Sequence, residues 1–463
     1  MDYAAVIWHR PEDKTAPTTQ QLSKFSTVQR QAMKAITGCF RTTPTAALEN
    51  ETNLLPPTLR LRRKVLNTIT RMQTLPPRHP LHKWISQARK NGGHLPHPSN
   101  LENIVRHFPE YMQEVETIYP HIRPPWWTFK PTIHIDASKE AAEKHHLQTT
   151  TPNQSNTALS QGNAAPSLHE TLHIYTDGSG IKKGIGAAMY CSTDQHIEQR
   201  YLGTETESMV YAGELEAIHM ALHHVKHADN NRYKKCRIFT DSQPAIKSLA
   251  KPKRQSGQSI IKCILDEIDT LYESNPAYEL QLEWVPGHKG IEGNEKADEA
   301  AKQAAIQKIN PTRKPSLKSA RSNDIHQTLK RQWQEQWTKG RRTACRLRNT
   351  SQRPNIKPSL HIYNQLGNKR RHIAWIARLR TGHCSLNQYL ERFNIIDNAK
   401  CECGRGKETV KHFLLTCSKY EEERDKLRRE VGAQGMREER LLGDIKKVKH
   451  TIQFMEDTGR FEF

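Results

Sequence analysis

Four acidic residues set the chemical possibilities of this 463-residue chain: Asp177, Glu214, Asp241 and Asp298. Asp177 follows the β-branched and aromatic run His173-Ile174-Tyr175-Thr176 and precedes Gly178-Ser179-Gly180. That pattern predicts a strand that delivers an exposed carboxylate to a sharp turn, although Asp-Gly after such a run is also what an ordinary hairpin looks like. Glu214 falls in the first turns of a helix expected over 209–225. Asp241 ends a strand expected over 236–240, and Asp298 lies near the start of a helix expected over 294–306. If the 236–240 strand pairs parallel with the 171–176 strand, Asp177 and Asp241 leave the sheet at one end, where open α/β sheets place their sites. Carboxylates gathered there repel one another and require cations between them. Hard divalent ions with oxygen ligands answer that need, and two of them about 4 Å apart suit phosphodiester cleavage.

The elements that must position these acids read clearly. Residues 171–176, 185–191 and 196–202 form an antiparallel meander, followed by the 209–225 helix and the 236–240 strand. A short helix over 244–249, a longer one over 260–272, a strand over 280–285 and the Ala-rich 294–306 helix complete a βββαβααβα order, a mixed sheet covered by helices. His288, framed by Gly287, Gly290 and Gly293, belongs to a mobile loop. Glu216, two residues from Glu214, points to another helix face and takes no catalytic part.

Composition narrows the partners. Lys+Arg number 71 against 49 Asp+Glu, a net charge of +22 that recurs along most of the chain, so a polyanion is expected, nucleic acid before anionic lipid. Charged residues reach 26% and hydrophobic ones 35%, and there is neither an apolar run of membrane-spanning length nor a secretory signal near the start. The expected setting is intracellular, nucleus or cytoplasm, with reduced cysteines. Oligomeric state is not legible.

The blocks Tyr175-Thr176-Asp177-Gly178-Ser179-Gly180, Gly213-Glu214-Leu215-Glu216-Ala217-Ile218, Phe239-Thr240-Asp241-Ser242-Gln243 and the run from Trp284 through Gly287-His288-Lys289-Gly290 to Asp298 resemble the type 1 ribonuclease H family, in the family's order. The resemblance implies an α/β fold with a five-stranded mixed sheet and flanking helices. It implies hydrolysis of the RNA strand in RNA/DNA hybrids, leaving a 3′ hydroxyl and a 5′ phosphate. Asp177, Glu214, Asp241 and Asp298 would hold two Mg²⁺ ions, with Mn²⁺ as the alternative, Asp177 bridging them. In this motif His288 would handle protons or assist product release. Choice of RNA requires contact with the 2′-hydroxyl, for which Gly178, Ser179 and Gln243 are the candidates. The basic helix that some members carry after the third acid is replaced here by Lys251-Pro252-Lys253-Arg254, so substrate grip must come partly from the basic flanks.

Near the C-terminus Cys401, Cys403, His412 and Cys417 place four soft ligands in a short span, with Gly404 and Gly406 to fold the chain over a tetrahedral Zn²⁺. Together with Arg378-Leu379-Arg380-Thr381-Gly382-His383, Glu408-Thr409 and Phe413-Leu414-Leu415, this cluster is similar to the C-terminal end of non-LTR retrotransposon reverse transcriptases. Residues 28–82, with Ile36-Thr37-Gly38 and Arg41-Thr42-Thr43-Pro44, are similar to the segment that follows the polymerase region in those proteins. No Asp-Asp pair occurs in the sequence, so polymerase chemistry is not expected. The expected organisation is a basic helical segment over 1–136, a flexible linker over 137–169, the ribonuclease H-like domain over 170–310, a second basic helical segment over 311–395, and a zinc-knuckle-like module with terminal helices over 396–463. The competing expectation is a catalytically inactive, retroelement-derived nucleic-acid-binding protein.

Overall fold

The computed structural model describes residues 3–10, 16–91, 99–150, 171–228, 232–311, 315–339, 347, 363–364, 366–367 and 369–461. Two compact units emerge, Leu66–His326, and Met1–Val65 with Gln327–Phe463. Helices α1 (Ala5–Trp8), α2 (Ala16–Thr37), α3 (Thr45–Thr52), α4 (Pro57–Gln73), α5 (Pro80–Asn91) and α6 (Asn100–His107) open the chain. No helix among the described residues is long and apolar enough to cross a membrane.

The Leu66–His326 unit is built on a six-stranded mixed sheet of order β1-β6-β5-β2-β3-β4. In chain order its elements are β1 (Thr132–His134), α7 (Lys139–Thr150), β2 (Thr171–Ile181), β3 (Gly184–Cys191), β4 (His196–Thr204), α8 (Val210–His227), β5 (Lys235–Thr240), α9 (Gln243–Ala250), α10 (Gln258–Ser274), β6 (Glu279–Trp284) and α11 (Glu292–Gln307), with α12 (Lys318–Lys339) following. β2, β3 and β4 are antiparallel neighbours, whereas β5 runs parallel to β2, β6 to β5 and β1 to β6.

Two of these features depart from expectation. The sheet has a sixth strand, because β1 extends the edge beyond β6 with the register Ile133↔Leu282. α7 occupies part of the stretch whose low apolar content reads as linker. It is held there by few but specific contacts: His146 sits edge-on to the rings of Tyr175 and Phe239, at centroid distances of 5.7 and 4.8 Å, and meets the Tyr175 hydroxyl at 3.3 Å. The remainder of that stretch, residues 151–169, lies outside the described residues.

Side-chain alternation along β2 sorts the two layers. Leu172 and Ile174 join Leu215, Ile218, Ile261 and Ile264 in the core beneath α8 and α10, while Tyr175 turns the other way to pack with Phe239, Val285 and Ala297. α8 carries apolar side chains over most of its circumference and is buried accordingly; α10 is amphipathic, with Ile260, Ile264, Ile268 and Leu271 inward. The alanines of α11 let it lie directly on β3: a Cβ at Gly186 would stand 2.2 Å from the Ala301 carbonyl oxygen.

Flanking segments knit into the same unit. The buried carboxylate of Glu116 accepts the N–H groups of Gly257 and Lys318, at 2.8 and 2.9 Å, and the Ser256 hydroxyl. α9 is joined to α10 by residues 251–257 with no helix between them.

The second unit has its own cores. Met33, Cys39 and Leu48 pack with Ala377, and Trp375, Ile376 and Leu379 pack with Phe413, Leu441 and Phe454. At its centre the Arg380 guanidinium donates to Glu51 at 2.7 Å and to the Leu442 carbonyl at 2.8 Å, while the Tyr363 hydroxyl donates to the same carboxylate at 2.6 Å. Burial of an ion pair is tolerated when its remaining hydrogen-bonding capacity is met in this way.

Candidate active site

The parallel pairing of β2 with β5 ends at Thr176↔Thr240, so Asp177 and Asp241 both lie one residue beyond it. β2 itself continues, contrary to the turn expected at the glycines. Asp177 still pairs with Ala188 on β3, and the reversal comes at Lys182 and Lys183, which adopt φ of 47° and 67°. A two-residue turn with both φ positive matches the twist of the hairpin it joins. Asp177 is therefore a mid-strand residue, 5% exposed rather than standing free at a strand end.

The two helical layers supply the other acids. Gly178 faces α8, where an added Cβ would lie 2.3 Å from the Glu214 backbone nitrogen, and its own N–H is donated to the Glu214 carboxylate. The missing side chain at Gly178 thus serves the approach of α8, which brings Glu214 to the sheet. α11 contributes Asp298 from the opposite layer. Asp177, Glu214 and Asp241 offer oxygens that all lie within 4.8 Å of one another, and His288, Glu295 and Asp298 form an adjoining group of the same tightness.

The electrostatics carry the signature of crowded acids. Burial, reinforced by Asp241 and Asp298, pushes Asp177 up to about 7, with Lys302 opposing. Burial and the charges of Asp177 and Asp241 hold Glu214 well above the ordinary carboxylate range. Asp241 is raised by burial, against the opposing pull of His288, and raised further by Asp298. Lys302 Nζ lies 2.5 Å from Asp298, and Glu214 Oε2 is buried without a hydrogen-bond partner among the described residues. An orphaned carboxylate oxygen facing other carboxylates is the arrangement a divalent cation completes.

His288 is exposed and adopts φ of 57°, a conformation few non-glycine residues take. Its neighbour Gly287 lies under the third acid, where a Cβ would meet Asp241 Oδ2 at 2.4 Å. Ser179 is half-buried one position beyond Gly178, and Gln243 opens α9 with its Oε1 accepting from Lys247 at 2.8 Å. Glu216 is fully buried, bonded to Arg200 at 2.5 Å, and stands apart from the four acids. Glu295 and Lys302 join the four expected acids at this site. Their signal was available in the spacing, since Glu295, Asp298 and Lys302 are three and four residues apart and share one face of α11.

Comparison with known proteins decides the family. The family model described as RNase H matches residues 169–306. These residues belong to the ribonuclease H family. Among relatives, the Pol polyprotein of equine infectious anemia virus (strain Wyoming) is 36% identical over 131 residues, 28% of this chain and 10% of its own length. The ribonuclease H of Orientia tsutsugamushi (strain Boryong) is 28% identical over 162 residues, covering 33% of this chain and 88% of its own. A retrovirus-related Pol polyprotein from a type-1 retrotransposable element of Nasonia vitripennis is 38% identical over 47 residues, 10% of this chain and 12% of its own length. This chain thus spans about a tenth of the length of the Pol polyproteins it matches. β1 and α7, which precede the matched residues, pack on the same sheet.

The other unit holds a separate cluster. Residues 400–407 form a tight loop in which the Cys401 N–H donates to the Gly406 carbonyl at 2.8 Å, with Gly404 and Gly406 at φ of 75° and 129°. Cys401 Sγ lies 3.5 Å from Cys417 Sγ and Cys403 Sγ 3.2 Å from His412 Nε2, all four donors falling within 4.8 Å of one another. Arg424 donates to the Leu414 and Cys417 carbonyls beneath the loop, fixing the last ligand. Two thiols, a third thiol and an imidazole at these separations can hold a metal, and the residues suit zinc. Burial pushes Cys401 up to about 12, whereas the Arg405 N–H brings Cys403 down to about 6.

Proposed function

We propose that this chain hydrolyses the RNA strand of RNA/DNA hybrids through a two-metal site held by Asp177, Glu214, Asp241 and Asp298. The observation that carries the reading is the convergence of Asp177, Glu214 and Asp241 within 4.8 Å, with Glu214 Oε2 left unpartnered and Asp298 near enough to raise its neighbours. Two bound Mg²⁺ ions would supply activation of water and stabilisation of the leaving oxygen.

The chain's own residues do the rest. Asp177, rigid in the middle of β2, takes the central position between the two helical layers. Gly178 holds the Glu214 carboxylate through its N–H, so that one oxygen is oriented and the other stays available. Lys302 neutralises Asp298 until it is displaced, which limits repulsion in the folded chain. His288, exposed beside Asp298 and Glu295, is placed to carry a proton to or from solvent. Ser179 and Gln243 flank the acids at the same sheet end and are the proposed contacts to the RNA strand. The basic helical flanks, among them residues 57–73 with Arg60, Arg62, Arg63 and Lys64, are proposed to hold the substrate backbone. The cluster of Cys401, Cys403, His412 and Cys417 is proposed as a zinc knuckle.

The test is cleavage of a labelled hybrid in Mg²⁺ by the full chain and by Asp241→Asn. We expect loss of more than about 100-fold on removing one ligand charge. No cleavage by the unaltered chain, or cleavage unchanged by the substitution, would sink the catalytic reading.

A further inference from the structure

The sheet carries a second group of metal-capable side chains, about three residues along β3 from the position opposite Asp177 and so roughly 10 Å away. β3 ends at Cys191, a short turn carries Asp194, and β4 begins at His196. His224 lies in the last turn of α8, above that turn. Cys191 Sγ, an Asp194 oxygen and a ring nitrogen of His224 all lie within 4.8 Å of one another, a group none of whose members belongs to the four-acid site or to the C-terminal cluster.

We propose that Cys191, Asp194 and His224 form a zinc site that clips the β3–β4 turn to the C-terminal end of α8. Each ligand is already oriented. Asp194 Oδ1 accepts the His196 N–H at 3.1 Å, which leaves Oδ2 directed at His224 Nε2, 2.9 Å away. The His224 ring is held in its plane by His196, stacked on it at 4.9 Å with an interplanar angle of 8°. Cys191 is fully buried at the base of the turn.

Thiolate, imidazole and carboxylate together select a borderline-soft cation over Mg²⁺ or Ca²⁺. Zinc takes sulfur at about 2.3 Å and nitrogen or oxygen at about 2.0–2.1 Å, so tetrahedral donors stand about 3.3–3.6 Å apart. The Asp194–His224 pair has to open by a few tenths of an ångström and the thiol to close on it, which a turn residue and a helix-terminal side chain allow. Binding releases the thiol proton to solvent and replaces two hydrogen bonds of the Asp194 carboxylate, one with His224 and one with the Cys191 thiol. Water takes the fourth position, since Asp194 faces solvent. Without a metal, burial keeps the thiol protonated, near 11, so Cys191 is inert.

The test uses the full chain carrying Cys401→Ser, Cys403→Ser and Cys417→Ser, loaded with zinc in excess Mg²⁺ and dialysed. Mass spectrometry of the metal content should find about one zinc per chain, falling at least tenfold on adding His224→Gln. Cobalt in place of zinc should give a sulfur-to-metal absorption that Cys191→Ser removes. Should the triple substitution fail to fold, His224→Gln alone decides, and is expected to lower the zinc of the otherwise unaltered chain by about one equivalent. A zinc content indifferent to His224→Gln, or a cobalt spectrum unchanged by Cys191→Ser, overturns the proposal. In that case Asp194 and His224 are only a hydrogen-bonded pair over a buried thiol. None of these readouts depends on hybrid cleavage.

Discussion

Asp177 is buried, flanked by two other acids and pushed up to about 7, and this has a measurable consequence for the metal-free chain. Its carboxyl sits above the ordinary value of 3.8, so between about pH 4 and pH 7 the folded chain binds more protons than the unfolded one. Stability therefore falls as pH rises through that window, and Glu214 and Asp241, raised in the same direction, add to the loss. A shift of this size corresponds to a few kcal/mol at about 1.4 kcal/mol per unit. The predicted outcome is a melting temperature that drops between pH 5 and pH 8 in chelator. Added Mg²⁺ should recover it, and do so far more at pH 8 than at pH 5. Asp177→Asn should flatten the metal-free profile, while a profile that rises with pH would contradict the assignment of these acids to one crowded site.

At the scale of elements, the sheet end works because backbones approach closely. Gly178→Ala would set a methyl 2.3 Å from the Glu214 nitrogen and 2.5 Å from the Gly213 carbonyl carbon, which forces α8 off β2. Overpacking against backbone costs about 1–3 kcal/mol or more, and displacement of Glu214 should abolish cleavage even where the chain still folds. Denaturant melts and hybrid cleavage by the variant check both parts. α7 makes the complementary prediction: His146→Ala removes its contacts with Tyr175 and Phe239 and should destabilise the sheet unit by about 1–3 kcal/mol, seen as a lower denaturation midpoint. These elements also show what was legible. Strand and helix order from 171 to 307 could be read because the apolar period changes cleanly between two and three to four. The end of β2 could not, because its glycines answer to α8 rather than to a turn, and the Lys182-Lys183 reversal has no glycine or asparagine to announce it. β1 and α7 are not legible for a related reason: three residues of edge strand and a helix with only Ala142 and His146 buried leave almost no periodic signal. The four acids and the cysteine cluster were legible through residue type and spacing; the helical spacing of Glu295 and Lys302 about Asp298 is equally visible in the sequence, and the packing of α11 over β2 gives it a place in the site.

For the whole molecule the governing quantity is the net charge of +22, which the four acids lower rather than create. If that charge faces a nucleic-acid backbone, binding must release counterions in proportion to the phosphates neutralised, and affinity must fall steeply with salt. Asp241→Asn provides a chain for the measurement, since it should bind hybrid without consuming it. Contacts to about six phosphates or more predict a loss of roughly 10³-fold or greater between 50 and 200 mM salt. The loop between α9 and α10 offers only Lys251, Lys253 and Arg254, so replacing all three by Gln should reduce the slope of log affinity against log salt by no more than about 3. A larger remainder would then come from the other Lys and Arg side chains of residues 169–306 or from the basic segments outside them. A total slope below about 2 would instead mean that the excess charge faces solvent, and that the ribonuclease H domain grips its substrate without the flanks.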